Sequence, residues 1–327
     1  MTRQEILNRV IEIVESYGSH EYTEQSSLND IDSLDITDMI LKTEIEFNLN
    51  YDKIERNIDT VKDLVDLIYE NLKTITKDKK DIKKIKENLV YDLRDFVQSR
   101  KFSDVVFGLS GGMDSALVLA LAAEALGPQH VHTFMMATKN TSGLSIELAK
   151  QLSANIGNPH KFIDIQPRVD CALKTLPFVP QRRTTVENIQ ARIRGDICMT
   201  FSNEYDWMVL GCGNKSEAAM GYCTLYGDTC GAVMPLGDLY KTDVYKMAEL
   251  YPAIPQAIII RAPSAELSPN QYDSDSLPEY AVLDPILQKI ESGVLDENEQ
   301  MAEIRRKYNA MAFKRNQMPP VLKVRER

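Results

Sequence analysis

At 327 residues, with 43% apolar and 26% charged side chains, the chain is long enough for two domains with sizeable cores and too apolar for wholesale disorder. No apolar run approaches the roughly 18 residues needed to cross a bilayer, and the start MTRQEILNRVIEIVESYG is charged and amphipathic, so a cytoplasmic protein with no membrane partner is expected. Residues 1–73 hold 17 acidic and 7 basic side chains and so carry the whole net charge of −10, which argues against a non-specific nucleic-acid binder and suits a basic protein partner.

In chain order, apolar side chains recur at helical spacing over residues 3–16, 34–47 and 60–72, and polar loops separate them. The first 74 residues therefore read as a small all-α bundle. KTITKDKKDIKKIK follows, and residues 75–84 read as an exposed lysine-rich linker before a helix that ends near Arg100. From there strands alternate with helices: SDVVFGL, a helix over 114–126, HVHTFMM, a helix over 144–156, KFIDI, a helix over 186–204 and DWMVLGC. That grammar predicts a doubly wound α/β domain on a parallel sheet across residues 85–327. Pro and Asp then become frequent in RAPSAELSPNQYDSDSLPEY, which reads as a long ordered loop before helices at 281–292 and 298–312. Five scattered cysteines form no CxxC pair and read as reduced thiols, while the four histidines lack metal-ligand spacing and read as packing residues.

Within the acidic module, LNDIDSLDITDMILKTEIEFNLNY places Ser33 at the start of an apolar-periodic helix. Ser33 or Asp32 could serve there simply as an N-cap. The segment also resembles the attachment region of acyl and peptidyl carrier proteins. By that resemblance Ser33 would carry 4′-phosphopantetheine, added by a phosphopantetheinyl transferase that reads the acidic helix through basic side chains.

VVFGLSGGMDS joins a buried strand to a helix through Ser110, Gly111 and Gly112. Glycines let a backbone approach a ligand, and free N–H groups at a helix start favour a multiply charged anion such as pyrophosphate. Asp114 would repel that anion unless Mg2+ lay between them, which makes it a metal-ligand candidate. The plainer alternative is a tight turn capped by Ser115 or Asp114.

SGGxDS resembles the pyrophosphate loop of the ATP pyrophosphatases, the adenine nucleotide alpha hydrolase-like fold. VENIQARIRG, GNKSEAAMGYCTLYGD, PLGDLYKTDVY, APSAELSPNQYDSDSLPEY and FKRNQMPP narrow the resemblance to the synthetase domain of NAD synthetases. It implies that Gly108, Ser110, Gly111, Gly112, Asp114, Ser115, Cys212, Lys241 and Ser264 bind ATP, with Cys212 standing where the family usually has Thr. Asp114 and Glu217 would hold Mg2+ and act with Lys241 in catalysis. Asn188, Arg192, Glu217 and Lys314 would meet the substrate. Read singly, Lys241 and Lys314 could be surface lysines, and Arg192 and Arg194 could pair with Glu187 or Asp196.

The implied activity is ATP-dependent amidation of the nicotinate carboxylate of deamido-NAD+, with AMP and pyrophosphate released. The glutamine-hydrolysing, nitrilase-like domain of larger family members is not seen, so ammonia is expected from solution or another protein, and a homodimer is implied. Two further readings stay open: amidation of a small molecule tethered to the carrier domain, and an inactive scaffold for that domain.

Overall fold

The computed structural model describes residues 1–18, 21–29, 31–47, 49, 58–269, 271–295 and 298–324, and for Ser33 and residues 74–80 it describes the backbone alone. The chain divides into two compact units, Met1–Asp81 and Ile82–Arg327.

In the first unit the predicted periodicity forms α1 (Arg3–Glu15), α2 (Ser33–Phe47) and the start of α3 (Val61–Ser99). α1 begins on a capping box: the Thr2 side chain accepts from Glu5 N, and Glu5 reaches back to Thr2 N. Ile6, Val10 and Val14 of α1 meet Met39 and Phe47 of α2 and Leu64, Val65 and Ile68 of α3 in one apolar cluster. Arg3 ties this packing at its rim by pairing with Glu24 and Asp66 at 2.5 and 2.6 Å. Asp32 is the residue that caps α2, its Oδ1 accepting from Leu34 N at 2.7 Å and Asp35 N at 3.2 Å. Ser33 is the first helical residue, and its side chain lies outside the described residues.

The expected linker at 75–84 is helical, because α3 runs unbroken from Val61 to Ser99. Basic composition signals exposure, but this stretch contains neither Gly nor Pro, and half of its residues are Lys, a good helix former.

The second unit is an α/β fold. Its sheet comprises β1 (Val105–Gly108), β2 (Val131–Ala137), β3 (His160–Asp164) and β4 (Met208–Val209), all parallel in the order β3-β2-β1-β4. α4 (Met113–Leu126) links β1 to β2 and α5 (Gly143–Ile156) links β2 to β3, whereas α6 (Gln166–Lys174) and α7 (Arg183–Tyr205) return the chain to β4. Alternate strand residues feed two cores. Val105 and Phe107 pack with Leu117 and Leu121 of α4, while Val106, Phe134 and Met136 pack with Ile197 and Cys198 of α7. The strand order reverses between β1 and β4, so the loops that leave their C-terminal ends diverge and open a crevice, the usual ligand position in such sheets.

β4 is shorter than the segment DWMVLGC suggested. The sheet continues through isolated bridges, Leu210 to Val233 and Met234 to Val321. Beyond it come α8 (Lys215–Met220), α9 (Lys241–Ala248), α10 (Gln256–Ile259), α11 (Tyr280–Glu291), α12 (Glu299–Ala310) and α13 (Ala312–Arg315). Leu283, Leu287, Met301 and Ile304 of α11 and α12 pack on Ala219 and Met220 of α8. Three of the histidines are packing groups. His130 and His132 both face Asp104, His132 also stacks on Trp207, and His160 bonds Thr133, whereas His20 lies outside the described residues.

Candidate active site

The phosphate-type loop sits where β1 gives way to α4. Gly111 has φ +77°, and a Cβ there would lie 2.3 Å from Ser145 O, so both conformation and space require glycine. Ser110 N donates to Ser115 Oγ at 3.2 Å, and Ser110 Oγ accepts from Gly112 N at 3.2 Å, which closes the loop on itself. Gly112 is the N-cap of α4 and supplies no side-chain cap. The donors of that first turn are thus left for an anion, with the helix dipole favouring negative charge.

Three elements bring charged side chains together beside this loop. Asp114 stands in the first turn of α4, Glu217 in the first turn of α8 and Lys241 at the first position of α9. The Lys241 ammonium bonds Asp114 Oδ2 and reaches Glu217 Oε1 at 3.3 Å. Lys241 is almost wholly buried. It is therefore no surface lysine. Burial disfavours its charge, yet Asp114 and Glu217 more than offset that and hold its pKa above the ordinary value. Burial, and then the Asp114 charge, push the Glu217 carboxyl up to about 8.

Asn214, which sequence reasoning missed, joins these groups. It is fully buried and forms a capping box with Glu217, and its amide donates to Asp114 Oδ1 at 2.8 Å. The signal was present: Asn three residues before Glu at a helix start is the capping-box pattern. Two crowded carboxylates with phosphate donors nearby form a donor set suited to Mg2+, which is commonly held by one or two carboxylates plus substrate phosphates. Among the described residues no group of three or more His, Cys, Asp or Glu side chains could hold a metal alone.

A cavity of about 460 Å³ opens next to this cluster, and Gly108, Ser110, Cys212, Asn188 and Lys314 line it. Cys212 borders the cluster; burial and then the Asp114 charge raise its thiol pKa well above the ordinary value. Asn188 Oδ1 accepts from Thr224 at 2.7 Å, and Lys314 Nζ donates to the carbonyls of Gly221 and Cys223, each at 2.7 Å.

Gly111, Gly112, Asp114, Ser115, Glu217 and Lys241 stand in the loop and the charged cluster rather than in the cavity lining, and two expected residues belong to none of the three. Arg192 is exposed and bonds Leu225 O at 3.2 Å, while Ser264 is occupied by its own loop, donating to Gln271 O and accepting from Glu266 N. Instead Arg194, two positions on, lines the cavity. Burial lowers its pKa to about 10, which leaves it charged at neutral pH, and its Nε donates to Met136 O at 3.0 Å. The pairings considered for these arginines are taken by others, Glu187 by Arg183 and Asp196 by Arg168.

A sequence model of the family described as NAD synthase matches residues 85–319, the stretch that contains every element of this site. The chain belongs to the NAD synthase family. It is 46% identical over 215 residues to the glutamine-dependent NAD(+) synthetase of Acinetobacter baylyi, an overlap covering 63% of this chain and 40% of that protein. The Thermotoga maritima protein of the same description is 46% identical over 216 residues, covering 63% and 38%. The chain thus spans about two fifths of the length of these curated relatives. Among solved structures, the NMN synthetase of Francisella tularensis aligns at 28% identity and TM-score 0.65, over 72% of this chain and 95% of that one. The NH3-dependent NAD synthetase of Campylobacter jejuni aligns at 29% and 0.61, over 74% and 99%. Among the described residues no helix is long and apolar enough to cross a membrane.

Proposed function

We propose that residues 85–327 form an ATP-dependent amide ligase that converts deamido-NAD+ to NAD+ with ammonia. The observation that carries this is the convergence of Asp114, Glu217 and Lys241 at the open end of a phosphate-type loop, beside a cavity large enough for a nucleotide. A nicotinate carboxylate oxygen attacks the α-phosphorus of ATP, and the bond to the β-phosphate bridging oxygen breaks, giving an acyl-adenylate and pyrophosphate. Ammonia then attacks the acyl carbon; the nitrogen loses a proton, the bond to AMP breaks and the amide remains. Loop N–H groups and Lys241 would stabilise the departing pyrophosphate. Asp114 and Glu217 would hold Mg2+, which when bound supplies charge neutralisation for the phosphates. Asn188 and Arg194 would orient substrate in the cavity, with Lys314 holding the wall.

The extent of the match to the NH3-dependent enzyme of C. jejuni supports free ammonia as a nitrogen source, while the A. baylyi and T. maritima relatives are glutamine-dependent. Purified protein supplied with ATP, Mg2+, ammonium and deamido-NAD+ should yield AMP, pyrophosphate and NAD+ in equal amounts. ADP as the nucleotide product would reject the adenylation route. Nicotinate mononucleotide as the better acceptor would redirect the reading toward the F. tularensis enzyme's type.

A second reading concerns the N-terminal unit, which we propose is a carrier domain modified with 4′-phosphopantetheine at Ser33 by a phosphopantetheinyl transferase. What favours it is a separate helical unit whose first 73 residues carry the whole net charge of the chain, with Ser33 opening its second helix. A tethered carboxylate would reach the site at an effective concentration of about millimolar. If deamido-NAD+ is the substrate, Ser33→Ala leaves turnover unchanged, and if the substrate is tethered, Ser33→Ala abolishes it. The intact Asp114–Lys241–Glu217 cluster weighs against the scaffold reading, since burying a lysine between two half-buried acidic side chains serves no packing purpose.

A further inference from the structure

α9 has no cap of its own. Its N-cap residue is Tyr240, which makes no capping bond, and a lysine at the first helical position carries the wrong charge for that end of the dipole. The open donors are satisfied from other helices. Ser216 Oγ accepts from Lys241 N at 2.9 Å, and Asp284 Oδ2 accepts from Thr242 N at 2.8 Å. Ser216 in turn donates its hydroxyl to Asp284 Oδ1 at 2.5 Å. Both Ser216 and Asp284 are fully buried.

The placement of these bonds is selective. Ser216 immediately precedes Glu217, and Thr242 immediately follows Lys241. One carboxylate on α11 therefore grips the first turns of both α8 and α9, the turns that present Glu217 and Lys241. A buried carboxylate is a costly way to cap a short helix, since desolvation opposes it and a Ser or Asn at the N-cap position would serve as well. What Asp284 adds is a fixed relation between two helices.

We propose that Asp284 is a positioning residue, acting through Ser216 and the Thr242 amide to set Lys241 against Glu217 without touching substrate. The inference rests on the assignment of Lys241 and Glu217 to the reacting centre. In the Asp284→Asn side chain one acceptor becomes a donor, so the two oxygens that accept from the Ser216 hydroxyl and the Thr242 amide are reduced to one and the Ser216 proton or the Thr242 N–H loses its acceptor. A misplacement of about 1 Å is enough to cost up to about a hundredfold in turnover.

The test uses the full chain and steady-state NAD+ formation, with Asp284→Asn, Ser216→Ala, the double variant and Lys241→Ala. Asp284→Asn and Ser216→Ala should each lower kcat about tenfold or more while KM for ATP and for deamido-NAD+ stays within about threefold. The double variant should fall no further than the worse single, because both changes cut the same path. If Asp284→Asn does not fold, Ser216→Ala and its kcat-to-KM split carry the test. A lower melting temperature with unchanged kcat per folded molecule would overturn the proposal, as would additive losses in the double variant. Full activity in Lys241→Ala would instead remove the underlying assignment, whereas an inactive Lys241→Ala beside a normal Asp284→Asn would defeat this inference alone.

Discussion

Lys241 illustrates how one residue's surroundings decide its chemistry. Alone in the sequence it reads as a solvated cation, but here it is buried and bonded to two carboxylates drawn from different helices. Asp114→Asn removes one of those charges while keeping the shape, and kcat/KM should fall by about 2–4 kcal/mol of transition-state stabilisation, read from AMP release at saturating Mg2+. Gly111 is bound by a stricter constraint. With φ at +77° and Ser145 O only 2.3 Å from where a Cβ would stand, Gly111→Ala must move the loop off its path. ATP binding by calorimetry should be lost or weakened at least about tenfold, because the misplaced amides no longer converge on the phosphates. Unchanged ATP affinity in that variant would mean that the loop does not bind phosphate.

At the scale of elements, two of the three reacting groups stand on short helices, α8 and α9, whose first turns are held by Asn214, Ser216 and Asp284. The six-residue helix α8 depends on Asn214, which caps it and fixes Asp114 at the same time. Asn214→Ala should lower stability by about 1–2 kcal/mol, as lost N-caps do, measured by urea unfolding. It should lower turnover as well, since Asp114 loses its amide partner. A second such tie joins the start of α5 to the loop around Glu266. Ser142 Oγ donates to Glu266 Oε1 at 2.9 Å, and Arg261 bonds both Glu266 and Ser145. Burial raises the Glu266 pKa, but bonds from Ser145 and Ser142 and the charge of Arg261 outweigh it and leave the carboxyl below its ordinary 4.5. The folded state therefore binds this proton less readily than the unfolded chain. The stability it contributes is present in full above pH about 4.5 and is lost as pH falls through the lower folded value. Between pH 5 and pH 3 the melting temperature of Glu266→Gln should decline less steeply than that of the unaltered protein, by differential scanning calorimetry. Parallel declines would show that this tie contributes nothing.

For the whole molecule, the two units carry different charge. Residues 1–73 carry a net charge of −10 and residues 74–327 balance to zero, so any basic partner should be drawn to the first unit. Coenzyme A and a broad-specificity transferase should add a single phosphopantetheine, and Ser33→Ala should abolish the addition, read by intact-protein mass spectrometry. Because Asp32 supplies the cap, Ser33→Ala should leave the melting temperature of that unit almost unchanged. We also expect a homodimer, since a two-fold pair is the commonest assembly. Sedimentation of a fully active 37.1 kDa species at assay concentration would contradict that expectation.

The sequence by itself was enough for the helical N-terminal segments, the order of strands and helices from Val105 to Val209 except α6, and the loop Ser110–Ser115, because periodicity, Gly placement and local helix signals act over a few residues. It misjudged residues 75–84, where charge composition outweighed the absence of any helix breaker. Which arginine turns inward was not legible either. Arg192 and Arg194 are two residues apart on one helix, about 200° around its axis, and only the packing of α7 on the sheet selects Arg194 for the cavity. The joining of Asp114, Asn214, Glu217 and Lys241 was equally a tertiary result. These residues are up to 127 positions apart, and their meeting depends on the strand-order reversal beside β1 and on the way Asp284 of α11 holds α8 and α9, neither of which any local window encodes.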